Sequence, residues 1–294
     1  MIGAGQAEGV QRAAQFVALM IDQLEQPLHT LSLVQVKASD NPERELTAEA
    51  LITSTLVIQA APNLNLSRAE SQQLGLGALF HNVGMHKLPR SVLRPSSSSQ
   101  SQQFRQYPLL GKQILEAVPG MTSEIVRIVY QHRECLDGSG YPNGLVNGAI
   151  ERLSRVVGVV TEYSELTKSR SIGRNFSPAQ ALSHLYARRK DKLGLDVIEP
   201  VIAAMTVYPP GSFVELSDYT IGLVVQTNKE DRMRPVIMLY DPDTSQRESQ
   251  VIDLAKERRL SIRKILSLKS VPPSVKDALT SGRTSGYMFV PQFA

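Results

Sequence analysis

The chain has 294 residues, of which 42% are hydrophobic and 20% charged, with one cysteine and five histidines. A chain of this length buries enough surface to fold without covalent cross-links. One cysteine excludes a disulfide framework and a cysteine-built zinc site. The net charge of +4 is scattered and aromatic residues make up only 5%, so we expect no nucleic-acid partner. No apolar run reaches the roughly 18 residues of a membrane span, and residues 1–9 lack a secretory signal, which predicts a cytoplasmic protein.

Helical patterns fill the first two thirds of the chain. Thr47 is the predicted N-cap of a helix over residues 47–60. Ser67 and Glu70 have the spacing of a capping box, which predicts that another helix begins there. Apolar residues at helical spacing predict further helices over 16–24, 101–117, 121–133, 151–167, 178–188 and 196–206. Residues 95–103 are rich in Ser and Gln, and residues 137–144 carry turn chemistry.

The pattern changes after residue 210. Residues 213–216 alternate between apolar and polar side chains, and residues 221–226 and 235–240 have the composition of two more strands. Residues 217–218 and 228–234 are the predicted connections between them. A short helical piece is predicted to begin at the two prolines 272–273. The C-terminal third is therefore predicted to contain a small β unit.

Two segments together carry a specific motif. Residues 79–89 read Leu-Phe-His-Asn-Val-Gly-Met-His-Lys-Leu-Pro, and residues 132–142 read His-Arg-Glu-Cys-Leu-Asp-Gly-Ser-Gly-Tyr-Pro. In this order they resemble the HD-GYP family, the bacterial cyclic di-GMP phosphodiesterases of the HD superfamily, with patterns HD-I-G-K-x-x-x-P and HH-E-x-x-D-G-x-G-Y-P. The resemblance covers most of residues 20–265. It includes the β unit, which is similar to the tail of a proteobacterial subgroup.

The resemblance implies a mainly α fold, in which an HD-type helical bundle is followed by a small three-stranded β unit and a short helical tail. We divide the chain into an N-terminal helical segment (1–45), a degenerate HD-GYP helical domain (46–207) and a β-containing C-terminal extension (208–294). Active relatives hold iron or manganese ions with histidines and aspartates. These ions polarise the phosphodiester and generate a hydroxide nucleophile.

Five positions depart from the family pattern. Asn82 stands where the family has an Asp, and a neutral amide is a poor bridge between cations. Met85 stands in place of the catalytic Lys. Tyr107 and Arg133 each replace a His, and Thr161 falls where the final Asp is expected. No histidine lies between residues 29 and 81, so the upstream family His is absent too.

The ligands that remain are His81 and His132, for which a buried relic pair is the favoured reading and a residual mononuclear metal site the alternative. We expect no metal and no other cofactor. Arg133 places a fixed positive charge beside the vacated positions. We predict that Arg133 pairs with Glu134, Asp137 or a ligand phosphate. Lys87 is a second candidate for phosphate binding.

The Gly-Tyr-Pro turn, in contrast, is intact. Its residues are Asp137, Gly138, Gly140, Tyr141 and Pro142, and the glycines and proline suit a tight turn. In the resembled family this turn docks diguanylate cyclase (GGDEF) domains or other signalling proteins and borders the nucleotide pocket. Such domains and cyclic di-GMP are therefore the partners that the resemblance implies.

The sequence supports three hypotheses. The preferred one is a catalytically inactive HD-GYP-like protein that acts in cyclic di-GMP signalling or protein interaction through this turn, with His81, Asn82, His132 and Asp137 as vestiges of the active site. The first alternative is a weakly active phosphodiesterase that uses iron or manganese, with His81, His132, Asp137 and Glu162 as its residues. The second is a cyclic di-GMP receptor that binds without cleaving.

Overall fold

The computed structural model describes residues 2–25, 29–37, 41–93, 102–167, 176–205, 207–228, 231–241, 250–280 and 283–291. The helices are α1 (Ile2–Glu25), α2 (Pro42–Ala60), α3 (Arg68–Phe80), α4 (Tyr107–Glu116), α5 (Ser123–Gln131), α6 (Arg152–Thr167), α7 (Pro178–Leu193), α8 (Leu195–Ala204) and α9 (Pro273–Thr280). The strands are β1 (His29–Lys37), β2 (Phe213–Leu216), β3 (Ile221–Gln226), β4 (Val236–Leu239), β5 (Val251–Asp253), β6 (Ile262–Ile265) and β7 (Arg283–Pro291). Within these ranges, no helix combines the length and apolar character needed to cross a bilayer.

The chain forms two compact units, and the first is helical. It comprises residues 1–23, 39–165 and 184–204, whereas the second comprises residues 24–38, 166–183 and 205–294. The predicted fold class, a mainly α bundle followed by a β unit, is confirmed. The units do not follow the predicted boundaries at residues 46 and 208, because residues 24–38, 166–183 and 205–207 belong to the second unit.

Capping side chains set where two of the helices begin. Ser67 caps α3, its side chain accepting from the backbone N of Glu70 while Glu70 reaches back to Ser67, so the predicted capping box is confirmed. The predicted cap at Thr47 is wrong. Helix α2 begins earlier, where Asn41 accepts a hydrogen bond from the backbone of Glu43. Thr47 lies inside the helix and donates its hydroxyl to the carbonyl of Glu43.

Small residues allow helices and turns of the first unit to approach closely. A Cβ on Gly77 of α3 would lie 2.4 Å from the side chain of Ile128 in α5. A Cβ on Gly158 of α6 would lie 2.7 Å from the carbonyl oxygen of His132, which follows α5. These contacts bring the ends of α3 and α5 and the middle of α6 together around one buried centre.

The second unit contains an antiparallel sheet. Its strand order is β5-β4-β3-β1-β7, and β2 pairs with both β3 and β6. The predicted strands are confirmed as β2, β3 and β4, and β1, β5, β6 and β7 add to them. One sheet face packs Phe213 and Leu223 against Val275 of α9. Their neighbours Val214 and Val224 face a second apolar cluster, as the alternation of side chains along a strand requires.

Strand β1 corrects the prediction that residues 1–45 are helical. It pairs with β7 over its whole length, from His29 opposite Pro291 to Lys37 opposite Arg283. It also meets β3, where Ser32 lies opposite Gln226. The segment alternates apolar and polar residues in part and is rich in Val and Leu. Pairing with a distant strand therefore decides its structure, as is common for strands.

Candidate functional site

Two buried histidines lie at the centre of the helical unit. His81 follows α3 and His132 follows α5, and their ring centroids are 5.4 Å apart in an edge-to-face arrangement. Nδ1 of His81 lies 2.6 Å from the carbonyl of Ala78, and Nδ1 of His132 lies 2.8 Å from the carbonyl of Val129. A carbonyl oxygen only accepts, so each Nδ1 carries the proton. Nε2 of a neutral His132 is then the acceptor.

A polar chain extends from His132 across the unit. The hydroxyl of Tyr107, the first residue of α4, lies 2.7 Å from Nε2 of His132 and donates to it. Nε of Arg133 donates to the same hydroxyl at 2.6 Å. The two terminal nitrogens of Arg133 donate to the carboxylate oxygens of Glu165 in α6, one of them at 3.2 Å. We call His132, Tyr107, Arg133 and Glu165 the polar chain.

The environment fixes the protonation states in the polar chain. Burial, together with His81 and Arg133, lowers the pKa of His132 well below its usual value, so the ring is neutral near pH 7. Burial raises the pKa of Tyr107 well above its usual value. For Arg133, burial is the largest single influence and lowers the pKa, but the charge of Glu165, its hydrogen bond and the neighbouring Tyr107 and Tyr141 together raise it, so the net shift is upward. The polar chain therefore consists of a neutral imidazole (His132) and a neutral phenol (Tyr107) next to the ion pair of Arg133 and Glu165.

Glu165 is the residue that the sequence analysis missed. Arg133 pairs with Glu165 and not with Glu134 or Asp137. Glu134 is only 2% exposed, and its carboxylate accepts from the backbone N–H groups of Asn143 (2.7 Å) and Leu145 (2.9 Å). Glu165 comes 32 residues after Arg133. No local spacing marks the pair, and only the approach of α6 to the end of α5 reveals it.

The remaining acidic candidates are also held by other groups. Asp137 accepts from the backbone N (3.0 Å) and hydroxyl (2.6 Å) of Ser139, and Lys192 lies 3.3 Å away. These contacts lower the pKa of Asp137 to about 2, with the Ser139 hydroxyl as the largest cause. Glu162 pairs with Arg189 at 2.6 Å. Both carboxylates therefore have established partners.

Three of the altered positions have structural contacts. The side-chain amide of Asn82 donates to the carbonyl of Leu46 at 2.8 Å, and a carboxylate could not make this bond. The hydroxyl of Thr161 donates to the carbonyl of Val157 within α6 at 2.7 Å. Met85 packs in the apolar cluster that includes Leu46. Each side chain is accommodated where it stands.

The side chains present do not fit a pair of iron or manganese ions. The hydroxyl of Tyr107 donates to Nε2 of His132, so this nitrogen is not available to a metal ion. The guanidinium of Arg133 donates to the same hydroxyl and places a fixed positive charge beside it. Arg133 itself engages the carboxylate of Glu165. In the described part of the chain, no three His, Cys, Asp or Glu residues are arranged to hold a metal ion. Hard cations need carboxylate oxygens that this centre does not offer.

The GYP loop, which we define as residues 137–146, is attached to this centre. It is closed by a backbone bridge between Asp137 and Val146. The backbone N of Tyr141 donates to the carbonyl of Arg133 at 3.0 Å. The Tyr141 ring lies edge-on to Tyr107, with centroids 6.3 Å apart. Arg105 covers Tyr141, its guanidinium carbon 5.4 Å from the ring centroid.

The glycines of the GYP loop are required by its backbone. A Cβ on Gly140 would lie 2.3 Å from the backbone N of Cys135 and 2.6 Å from the carbonyl of Arg133. Gly138 has a φ of 76°, a conformation that side-chain-bearing residues rarely adopt. The bond between Tyr141 and Pro142 is cis. The predicted tight turn is therefore present.

Lys87, the cysteine and the three other histidines are not part of the polar chain. Lys87 and His86 are exposed on the turn Val83–Lys87. Cys135 is buried, and burial raises the pKa of its thiol, as suits a packed residue rather than a reactive one. His184 is half-buried on α7. The side chain of His29 and residues 95–101 lie outside the residues that the structure describes.

The neutral His132 predicts a pH dependence of stability. Its pKa is depressed in the folded state, so below about pH 6.5 only the unfolded chain takes up this proton. Stability is therefore expected to fall on acidification from about pH 7 to about pH 5, by at most about 1.4 kcal/mol per pH unit. Urea unfolding at several pH values measures this. In His132→Gln the slope should flatten, whereas the exposed His86→Ala should keep it, and an unchanged slope in His132→Gln contradicts the assignment.

Comparisons with known proteins agree with the motif segments. A family model described as an HD domain matches residues 32–197, and a model described as a KOW domain associated with the HD domain matches residues 213–273. A cyclic di-GMP phosphodiesterase of Pseudomonas aeruginosa is 26% identical over 86% of this chain and 61% of its own length. The cyclic di-GMP phosphodiesterase response regulator RpfG of Xanthomonas campestris is 31% identical over 44% of this chain and 35% of its own length.

A solved structure of Bd1817, an HDG"Y"P protein from Bdellovibrio bacteriovorus, matches 54% of this chain and 52% of its own length. Its sequence identity to this chain is 24% and its TM-score is 0.46. The chain spans less than two thirds of the length of the curated relatives named above.

Proposed function

The chain belongs to the HD-GYP group of the HD domain family, and from this membership we propose that it is a non-catalytic member that acts in cyclic di-GMP signalling through its GYP loop. The observation that carries the proposal is the polar chain at the vacated metal centre. Tyr107 occupies Nε2 of His132, and Arg133 and Glu165 form an ion pair beside it. A fixed cation at this place opposes the binding of another cation.

Hydrolysis of a phosphodiester in this family depends on metal ions that activate water. The described side chains offer no bridging carboxylate to such ions, since Asn82 donates its amide to Leu46 and Glu165 is held by Arg133. These contacts favour a protein without phosphodiesterase activity and without a metal cofactor. We place it in the cytoplasm, where cyclic di-GMP signalling takes place.

The GYP loop supports the interaction part of the proposal. A backbone bridge joins its two ends at Asp137 and Val146, and the carboxylate of Glu134 accepts hydrogen bonds from two of its backbone N–H groups. Val146 projects from it with 51% of its surface exposed. An ordered loop with an exposed apolar side chain can bind a partner without a large entropic cost of ordering. We propose diguanylate cyclase domains or other proteins of cyclic di-GMP signalling as partners.

The two alternatives have less support. The weakly active enzyme would use His81, His132, Asp137 and Glu162, but Ser139, Lys192 and Arg189 already hold these two carboxylates. A receptor that binds a phosphate through Arg133 would have to displace Glu165 and Tyr107. Exposed Lys87 remains free to steer an anion to the surface, but nothing described places it near the polar chain.

Metal content and turnover test the proposal. The protein is purified anaerobically, supplied with iron or manganese, and assayed for bound metal and for cyclic di-GMP cleavage. We expect far less than one equivalent of metal and no cleavage. Metal-dependent cleavage that disappears in His81→Ala but persists in the exposed control His86→Ala would overturn the proposal.

Binding to a purified diguanylate cyclase domain tests the interaction role. Val146→Asp is expected to abolish the heat of binding in calorimetry, because it replaces the exposed apolar side chain of the loop with a charge. Val207→Asp is the matched control, since Val207 is also 51% exposed. Equal loss in both variants, or binding unaffected by Val146→Asp, contradicts a role for the GYP loop.

A further inference from the structure

We propose that Arg133 supplies, as a built-in cation, the cross-link that holds the GYP loop against the helices, so that the loop keeps its conformation without a metal ion. The inference rests on the proposed function, because it explains how an interaction loop stays ordered beside a centre that no longer suits metals. It assigns Arg133 as a positioning residue and not as a ligand of phosphate.

The side chain of Arg133 bonds to residues of two helices and, through Tyr107, is linked to the residue that follows a third. Its guanidinium is largely buried, with 13% of the side chain exposed. Nε donates to Tyr107 at the start of α4, and the two terminal nitrogens donate to Glu165 near the end of α6. The hydroxyl of Tyr107 in turn donates to Nε2 of His132, the residue that follows α5. A metal ion held by side chains from these same elements would make the same kind of cross-link.

The backbone around Arg133 holds the GYP loop. The carbonyl of Arg133 accepts from the backbone N of Tyr141 at 3.0 Å. The next residue, Glu134, accepts from the backbone of Asn143 and Leu145. The loop is therefore hydrogen-bonded to two consecutive residues whose position the Arg133 side chain determines.

The Tyr141 ring completes the connection. It lies against Tyr107, whose hydroxyl receives the Arg133 bond. Loss of the Arg133 side chain would leave the hydroxyl of Tyr107 without this donor and free the ring to move. The effect is expected to reach the loop through Tyr141 even though the backbone bond to residue 133 remains.

A second ion pair in the same unit provides a control, because its arginine is buried to the same extent but bonds to α8. Arg155 is also 13% exposed and forms a two-bond pair with Asp196 at 2.7 and 2.8 Å. It also donates to the carbonyl of Leu193. Arg155→Ala therefore removes an ion pair with an equally buried arginine from α6, and the hydrogen bonds of that arginine go to Leu193 and Asp196 and not to the GYP loop.

Hydrogen–deuterium exchange of the full chain tests the inference. Wild type, Arg133→Ala and Arg155→Ala are compared in peptides that cover residues 137–146, with urea adjusted so that all three have equal global stability. We expect exchange in Arg133→Ala to be at least about tenfold faster, as the loss of a charge-assisted hydrogen bond implies. Exchange in Arg155→Ala should match wild type. Chelator or added manganese should leave wild-type exchange unchanged.

Two results overturn the inference: equal loop exchange in the two alanine variants, or faster loop exchange of the wild type in chelator. If Arg133→Ala does not fold, Arg133→Lys and Glu165→Gln replace it. Lysine keeps the charge but not the directed bonds, so its loop exchange should lie between wild type and alanine. Metal-dependent cleavage of cyclic di-GMP would overturn the proposed function alone, whereas equal exchange would overturn this inference and leave inactivity standing.

Discussion

Replacement of Glu134 by glutamine is expected to lower the free energy of unfolding by about 3 kcal/mol. Glu134 is 2% exposed, and each of its carboxylate oxygens accepts a backbone N–H, from Asn143 and Leu145. Glutamine has one oxygen, so one of these N–H groups would face the NH₂ group of the new side chain. The volume is unchanged, and the effect is therefore one of hydrogen bonding and charge.

Urea unfolding measures the change, and Glu116→Gln provides the control. Glu116 is exposed on α4 and lies 3.8 Å from Lys112, so its replacement should change stability by less than about 0.5 kcal/mol. Exchange or proteolysis of the GYP loop should increase in Glu134→Gln at the same time. A stable Glu134→Gln protein with a wild-type loop would contradict the role given to this carboxylate.

Gly84→Ala is expected to destabilise the protein by about 3 kcal/mol or more, because the clash is with backbone. A Cβ at residue 84 would lie 2.0 Å from the carbonyl oxygen of Tyr107 and 2.5 Å from the backbone N of Gly111. The turn and α4 must separate to admit it. The separation would move Tyr107 away from His132 and open the polar chain.

Gly148→Ala is the matched control, since a Cβ at Gly148 meets no atom within 4 Å and its φ is not positive. Thermal unfolding should place this variant close to wild type and Gly84→Ala several degrees lower. If the two variants unfold at the same temperature, Gly84 does not pack as closely against α4 as the structure indicates.

Much of the fold follows from local sequence. The capping box of Ser67 and Glu70 and the alternation along β2 concern neighbouring residues, and both are found as predicted. Local sequence alone predicts a helical segment at the position of β1, because its partner β7 is remote in sequence. Pairing between strands so far apart in sequence cannot be predicted from the residues that neighbour either strand.

The sequence predicts which positions form the candidate site but not which side chains contact one another there. The resemblance identified the altered residues, and the two buried histidines lie side by side at the centre of the unit. Glu165 could not be recognised, because a glutamate in a helix is ordinary until α6 approaches the end of α5. The sequence alone indicates a poor metal ligand at Asn82, yet the bond from its amide to the carbonyl of Leu46 gives this residue a structural role.

The pairing of β1 with β7 has a consequence for synthesis on the ribosome. Residues 29–37 are translated early, but their partner at residues 283–291 is made late. The helical unit extends no further than residue 204, so all of its parts have emerged before the sheet can be completed. The nascent chain therefore carries an incompletely paired β1 for most of its translation. We expect the two units to acquire structure in sequence, the helices first and the full sheet last.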